Sequence, residues 1–333
     1  MGRFYLVAKR QNPIFATKLL ILYEVDKRVV ENMYELMSDS NSYTSMREAL
    51  NRCLCEIQAR ESNTEPPEIP TGFLPLDNLI GGFKAGRVYV IGGRPNMGKE
   101  ELMLSMIRDI IIENKLSVLL FSTNRIKSFY VQRLLSIYCD IPTLRLHHGT
   151  LERHEWEKID KEVEALADAP LFFHDVLDLP LNELVETTRD CIKEKDIKII
   201  FIDCLQMIDF ANEDRTTSER IAKVMYSLKQ LAYATDLPIV VGSMIDRGIE
   251  YREDLDSKRP QLMDLTSSSY IEELADVVLM VHRPEYYHIY VDDNGRDLRG
   301  RIEIIVRKNA LKPLGSILPE YNEKTGAIND KNE

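Results

Sequence analysis

Eight consecutive residues, Gly93-Arg94-Pro95-Asn96-Met97-Gly98-Lys99-Glu100, have the types and spacing of a loop that binds phosphate. Gly93 and Gly98 let the backbone curl until its N–H groups point at phosphate oxygens. A helix opening at Lys99 presents its positive end there, and the lysine adds a point charge. The flanking pattern suits this chemistry. Residues 88–92 are a short apolar run with β character, and Leu102, Met103, Met106, Ile107 and Ile110 recur at helical spacing. One position departs. A Ser or Thr hydroxyl is expected after the lysine, where it ligates Mg²⁺, and the chain carries Glu100 instead.

A second signal lies about a hundred residues on, where the apolar run Ile199-Ile200-Phe201-Ile202 ends in Asp203. A carboxylate closing a buried strand is costly to leave unpaired. Beside a phosphate loop it is the acid that holds Mg²⁺ or its water; otherwise it caps the following segment. Asp203 and Glu100 are thus the candidate metal ligands, and residues 93–100 the candidate nucleotide cradle.

These residues need a scaffold, and the periodicity supplies one. Apolar strands at 88–92, 117–122, 170–174, 197–202, 239–243, 277–282 and 301–306 are separated by helical patterns. The helices fall at 101–114, 131–138, 152–167 (with Trp156), 181–195 and 218–235. That rhythm implies an α/β fold, a mostly parallel sheet covered by helices on both faces. Ligands of such sheets sit at the carboxyl ends of the strands, where residues 96–100, 122–124, 203–206 and 243–244 all fall. Residues 1–43 mix helical stretches without a motif. Residues 44–60 predict an amphipathic helix with Met46, Ala49, Leu50, Leu54 and Ile57 on one face, opened by a capping box at Ser45-x-x-Glu48. That face packs either on its own domain or on a neighbouring subunit. Three prolines within 61–70 mark a linker. The resulting division is a helical extension at 1–43, helix and linker at 44–70, the α/β domain at 71–325 and a tail at 326–333.

Composition narrows the classes. No apolar run reaches the ~18 residues of a membrane span, and no cleavable leader is evident. Five cysteines, odd in number and without metal or disulfide spacing, read as reduced, half-buried thiols of a cytoplasmic protein. A net charge of −11 argues against non-specific coating of nucleic acid, while allowing a local basic surface. His147-His148 and Tyr286-Tyr287-His288 lack ligand spacing and read as packing or surface residues.

The chain resembles the motor domain of the DnaB family of replicative helicases. The resemblance begins with Thr71-Gly72-Phe73-x-x-Leu76-Asp77, Gly81-Gly82 and the loop at 93–99. It continues through Leu119-Leu120-Phe121-Ser122, Gln132-Arg133-Leu134-Leu135-Ser136, Ile202-Asp203-Cys204-Leu205-Gln206 and Asp236-Leu237-Pro238-Ile239-Val240-Val241. Arg247-Gly248-Ile249-Glu250, Lys258-Arg259-Pro260-x-x-x-Asp264-Leu265 and Ile271-Glu272-x-x-Ala275-Asp276-Val277-Val278 complete it, in the family's order. The resemblance implies a RecA-like P-loop NTPase fold, a hexameric ring, Mg·ATP between subunits and single-stranded DNA in the channel. It also implies that the helix at 44–60 docks on the adjacent subunit. On that resemblance, the 43 residues before that helix are expected to be too few for the family's primase-contacting N-terminal domain.

Set against that family, several reaction-bearing positions differ. Glu100 replaces the magnesium-binding Thr, Asn124 the water-polarising Glu, Met244 the γ-phosphate-sensing Gln, and Lys308 the arginine finger, with Arg307 one position away and able to substitute only if the strand register slips. Asn124 accepts no proton, Met244 offers no amide, and Lys308 lacks the planar fork. A carboxylate ~4 Å from a phosphate charge at an effective dielectric of ~20 costs about 4 kcal/mol, or roughly a thousandfold in affinity, unless it turns away or binds Mg²⁺ itself. Losing a general base removes ~10²–10⁴ in rate, and losing a finger ~10³–10⁵. Arg215, Arg220, Lys223, Lys258 and Arg259 are the candidate DNA contacts, on segments resembling the family's channel loops, although neighbouring acids dilute their charge. The leading expectation is a ring component weakened or inactive in ATP hydrolysis, forming a homo-oligomer or joining an active helicase or other replication proteins as partner or regulator. The alternatives are an active ATP-driven 5′-to-3′ helicase and a RecA- or KaiC-type ATPase not acting on DNA.

Overall fold

The computed structural model describes residues 45–61, 68–210, 216–310 and 313–330. An eight-stranded sheet forms its centre. In chain order the strands are β1 (Val88–Gly93), β2 (Val118–Ser122), β3 (Leu171–Asp175), β4 (Ile199–Ile202), β5 (Ile239–Met244), β6 (Val277–His282), β7 (Glu303–Asn309) and β8 (Gly315–Ile317). Their spatial order is β3-β2-β4-β5-β1-β6-β7-β8. The first six are parallel, while β7 and β8 add antiparallel to the β6 edge. β9 (Glu320–Tyr321) and β10 (Ile328–Asn329) form a small separate hairpin.

Alternation along each central strand divides the core in two. Val88 and Val90, Leu119 and Phe121, Ile200 and Ile202 face one side, where they meet helices α7 (Leu181–Lys195) and α8 (Thr217–Thr235). Tyr89 and Ile91, Leu120, Ile199 and Phe201 face the other, against α3 (Lys99–Ile112) and α4 (Lys127–Cys139). Both faces are dry, so the strands read as continuous apolar runs. Each fully buried Leu, Ile or Val contributes about 1.5–3 kcal/mol of transfer free energy. Helix ends follow their local chemistry. Thr216 and Glu219 close a capping box on α8, and Asp236 ends it in the left-handed region. Glu152 and Glu155 do the same at the start of α6 (Arg153–Ala167).

The expected helix near the N-terminus is present as α1 (Met46–Glu61). Its capping box forms: the Ser45 N–H donates to Glu48 Oε2 at 2.8 Å and the Glu48 N–H to Ser45 Oγ at 3.2 Å. Met46, Leu50, Leu54 and Ile57 are all exposed on it, as are Cys53 and Cys55, which corrects the expectation of half-buried thiols there. Three short helices carried no periodic signal: α2 (Leu74–Ile80), α5 (Thr143–His148) and α9 (Ser268–Leu274). Residues 1–43, with the helical extension expected of them, lie outside the described residues.

Candidate nucleotide site

The loop between β1 and α3 adopts a curled conformation that depends on its glycines and on Asn96. Asn96 has φ 63° and Gly98 φ 94°, both in the left-handed region. A Cβ on Gly98 would lie 2.4 Å from Ile302, and one on Gly93 would lie 2.9 Å from the Lys99 Cβ, so neither position admits a larger residue without movement. The first backbone N–H groups of α3 open onto this loop, because only from Leu102 onward does the helix pair them, with Gly98 accepting at 2.8 Å.

Lys99 is 8% exposed, and its amine donates to the backbone oxygen of Asp203 at 3.3 Å. Gly242 on β5 makes that approach possible. A Cβ there would sit 3.1 Å from the Lys99 amine and 2.2 Å from the same Asp203 oxygen. β5 lies between β1 and β4, so the lysine reaches across one strand to the end of another.

Asp203, 2% exposed, is buried at the end of β4. Its Oδ2 accepts a hydrogen bond from the Tyr130 hydroxyl on α4, while its Oδ1 is buried with no partner. Tyr130 is itself 2% exposed; burial and the charges of Asp203 and Glu100 push its hydroxyl far up, so it stays protonated and acts as a donor. Glu100 is half-buried on the first turn of α3. Burial raises its carboxyl above the usual range, and the charge of Asp203 raises it further, against the pull of Lys99 and Arg125. The two carboxylates are thus near enough to repel one another, and the buried Asp203 Oδ1, with no partner, suits a cation.

Asn124 lies half-buried just past β2, behind the buried Thr123. Met244 ends β5 with its side chain 37% exposed, and its N–H donates to Gln206 Oε1 at 3.1 Å. Gln206 Nε2 donates in turn to Ser243 Oγ at 3.0 Å. The sheet order places all these positions at the carboxyl ends of neighbouring strands, as expected.

Other expectations need correction. Lys308 does not present a free cation: its amine donates to the backbone oxygens of Glu272, Glu273 and Ala275, closing the carboxyl end of α9. Arg307 occupies a bulge where pairing with β6 shifts between Val278 and Leu279, and its Nε donates to the Pro260 oxygen at 2.7 Å. The candidate DNA contacts do not assemble into a basic surface either. Arg220 and Lys223 are buried, at 6% and 5% exposure; Arg220 stacks on Phe210, and Lys223 pairs with Asp209 at 3.2 Å. Arg259 is engaged by Glu303, with its Nε at 2.9 Å, and the Lys258 amine donates to the Glu250 oxygen at 3.0 Å. Arg215 lies outside the described residues. The reason is common to both segments: partners that do not adjoin these cations in sequence, a ring at Phe210, carboxylates at Asp209 and Glu303 and a backbone oxygen at Glu250, take them up in the fold.

Sequence reasoning missed Tyr130, Gly242 and Arg125. Tyr130 falls one residue before the helix expected at 131–138, which in the structure begins at Lys127. Gly242 sits inside a strand, where a glycine signals close approach without saying of what.

Comparison with known proteins sharpens this picture. The family model described as "DnaB-like helicase C terminal domain" matches residues 68–330. The replicative DNA helicase DnaB of Helicobacter pylori (strain ATCC 700392 / 26695) is 31% identical over 283 residues, 83% of this chain and 57% of that protein. The chain therefore spans less than two thirds of the length of such curated relatives. Among solved structures, an isolated ATPase domain superposes with a TM-score of 0.76 at 24% identity, covering 87% of this chain and 100% of that one. A DnaB-like replicative helicase, determined in a study of its interactions with primase, gives 0.72 at 22% identity over 99% of this chain and 74% of that one. These likenesses establish a RecA-like fold. With the family match over most of its length, the chain belongs to the family of DnaB-like helicase C-terminal domains.

Proposed function

We propose that this chain binds ATP and single-stranded DNA as a component of a DnaB-like ring acting in replication in the cytoplasm, with ATP hydrolysis weakened or absent, and that it serves an active helicase as partner or regulator. The observation that carries the reading is the contrast within one pocket. Lys99 and Asp203 are built and in contact, while Glu100 on the first turn of α3 and Asn124 and Met244 at the strand ends stand where the reaction would need a hydroxyl, a carboxylate and an amide.

The residues fit a polyphosphate. The backbone N–H groups of Asn96, Gly98 and Lys99 and the Lys99 amine would hold it. Asp203, through its unpartnered oxygen, would hold Mg²⁺, whose chemistry is to neutralise charge on the phosphates, while the Glu100 carboxylate stands where a hydroxyl ligand would be needed. Asn124 positions water by hydrogen bonding at most, since an amide takes no proton from it. The buried carboxylates repel a bare polyphosphate, so binding depends on the cation to offset them.

Assembly is part of the proposal. The exposed stripe Met46, Leu50, Leu54 and Ile57 on α1 has a counterpart in an apolar groove of about 320 Å³ lined by Val131, Leu134, Leu135, Val163, Leu166 and Phe173. A neighbour's α1 in that groove would close a ring, hexameric by resemblance.

Mg·ATP binding and turnover, with and without single-stranded DNA, test the reading in the natural chain and in Glu100→Thr with Asn124→Glu. Binding without turnover, recovered in part by the double substitution, supports it. DNA-stimulated hydrolysis at a helicase's rate in the natural chain, lost in Lys99→Ala, supports the active-motor alternative.

A further inference from the structure

The loop carrying Lys99 is gripped from outside the pocket by two other segments. Arg94 pairs with Glu250 as an ion pair rather than an aligned hydrogen bond. Glu250 belongs to the short 3-10 helix Arg247–Tyr251, just beyond β5. At the tip of the loop the Asn96 backbone oxygen accepts from Arg283 Nη1 at 3.2 Å. Arg283, the residue after β6, is 7% exposed, lies over the Tyr321 ring at 4.6 Å and pairs with Glu323 at 3.0 Å.

The two grips are joined through Tyr287. Its hydroxyl donates to Glu250 Oε1 at 2.5 Å, and it closes the 3-10 helix Pro284–Tyr287 that begins one residue past Arg283. Its ring stacks on His282, with centroids 5.5 Å apart and planes 18° from parallel. The Lys258 amine also lies over that ring, 5.5 Å from the centroid, and donates to the Glu250 backbone oxygen at 3.0 Å. One carboxylate therefore serves the phosphate loop through Arg94 and the post-β6 helix through Tyr287, while its own backbone anchors the segment that ends in Lys258.

We propose that Glu250 is a positioning residue that couples the phosphate loop at 93–98 to the folded excursion at 247–260, so that a displacement of either is transmitted to the other. What the coupling would connect, a polyphosphate at one end and a nucleic-acid strand at the other, rests on the function proposed above. The physical link does not. A charged pair with a hydroxyl on the same oxygen is lost as a unit when any member is removed, because the remaining groups lose their partner in a poorly solvated place.

Hydrogen–deuterium exchange on the full chain without nucleotide tests the link. Glu250→Gln keeps the shape and drops the charge, Tyr287→Phe keeps the ring and drops the hydroxyl, and Arg94→Gln removes the other end. Each is expected to raise amide exchange roughly tenfold at both 93–98 and 252–260, with β2 and β4 unchanged. Arg94→Gln with Glu250→Gln is expected to do no more than either alone, and Glu250→Asp to restore part of the protection. Effects confined to the substituted segment overturn the proposal, as do fully additive effects in the double variant. Exchange raised across β2 and β4 as well also overturns it, since Glu250 would then hold the fold rather than link two parts of it. No nucleotide enters the experiment, so a failure here leaves the reading as an ATP site standing, and a failure to bind ATP leaves the coupling standing.

Discussion

Tyr130 and Asp203 meet at the centre of the candidate site, the hydroxyl on α4 donating to the carboxylate that ends β4, both residues buried. The bond fixes the carboxylate's rotation and leaves one oxygen buried and unmatched. A hydroxyl bonded to a buried carboxylate contributes more than a neutral hydrogen bond, because removing it strands a charge.

Tyr130→Phe is accordingly expected to destabilise the domain by about 1–3 kcal/mol in denaturant titration, with the slope unchanged. In Asp203→Asn the same substitution is expected to cost markedly less, since the charge is gone. Equal losses in both backgrounds would assign the effect to packing alone.

Glu100 carries a pH dependence of definite sign. Its carboxyl is raised by burial first and by Asp203 second. A group raised in the folded state gives stability that is present below its unfolded pKa and lost as pH rises through the folded value. Glu100→Gln is therefore expected to gain on the natural chain as pH rises above about 4, until the folded carboxyl has ionised, and then to run parallel to it. Glu100→Thr is expected to tighten Mg·ATP binding by roughly 10- to 1,000-fold in calorimetry. Unchanged affinity would mean that the carboxylate turns away or ligates the cation.

His282 titrates with the opposite sign. Burial pulls its imidazole down from 6.5 to about 4. Its contribution is full above the unfolded value and falls away as pH drops from about 6.5 to 4, by at most ~3 kcal/mol. His282→Phe, which keeps a ring against Tyr287, should flatten thermal stability across that window. An equally steep acid limb in the variant would place the loss elsewhere.

Lys308 distinguishes a helix cap from a catalytic finger. Lys308→Met removes three contacts to the end of α9 and is expected to lower stability by about 0.5–2 kcal/mol. Any ATP turnover should stay within a fewfold of the natural chain, whereas loss of a finger would remove ~10³ or more.

Much of this was legible in the sequence because it is written locally. The curl at 93–98, the apolar strands and the box at Ser45 each follow from neighbours along the chain. What escaped depends on contacts between distant segments. Tyr130 has no evident role until Asp203, 73 residues on, is placed beside it. Arg220 and Lys223 look like surface cations until Phe210 and Asp209 take them. Lys308 resembles a finger by position, yet α9, whose seven residues carried no helical signal, ends within reach of its amine. The bulge at Arg307 has no sequence mark at all, since it depends on how β7 slips against β6.

The resting place of the Lys99 amine has its own consequence. It lies against a neutral carbonyl, already stripped of most of its water. An arriving anion then displaces one hydrogen bond from an ammonium to a carbonyl, worth about 1.5–3 kcal/mol, rather than prising apart a desolvated ion pair at about 3–5 kcal/mol. Lys99 is parked on a latch weaker than an ion pair, free to turn toward an anion that enters the loop.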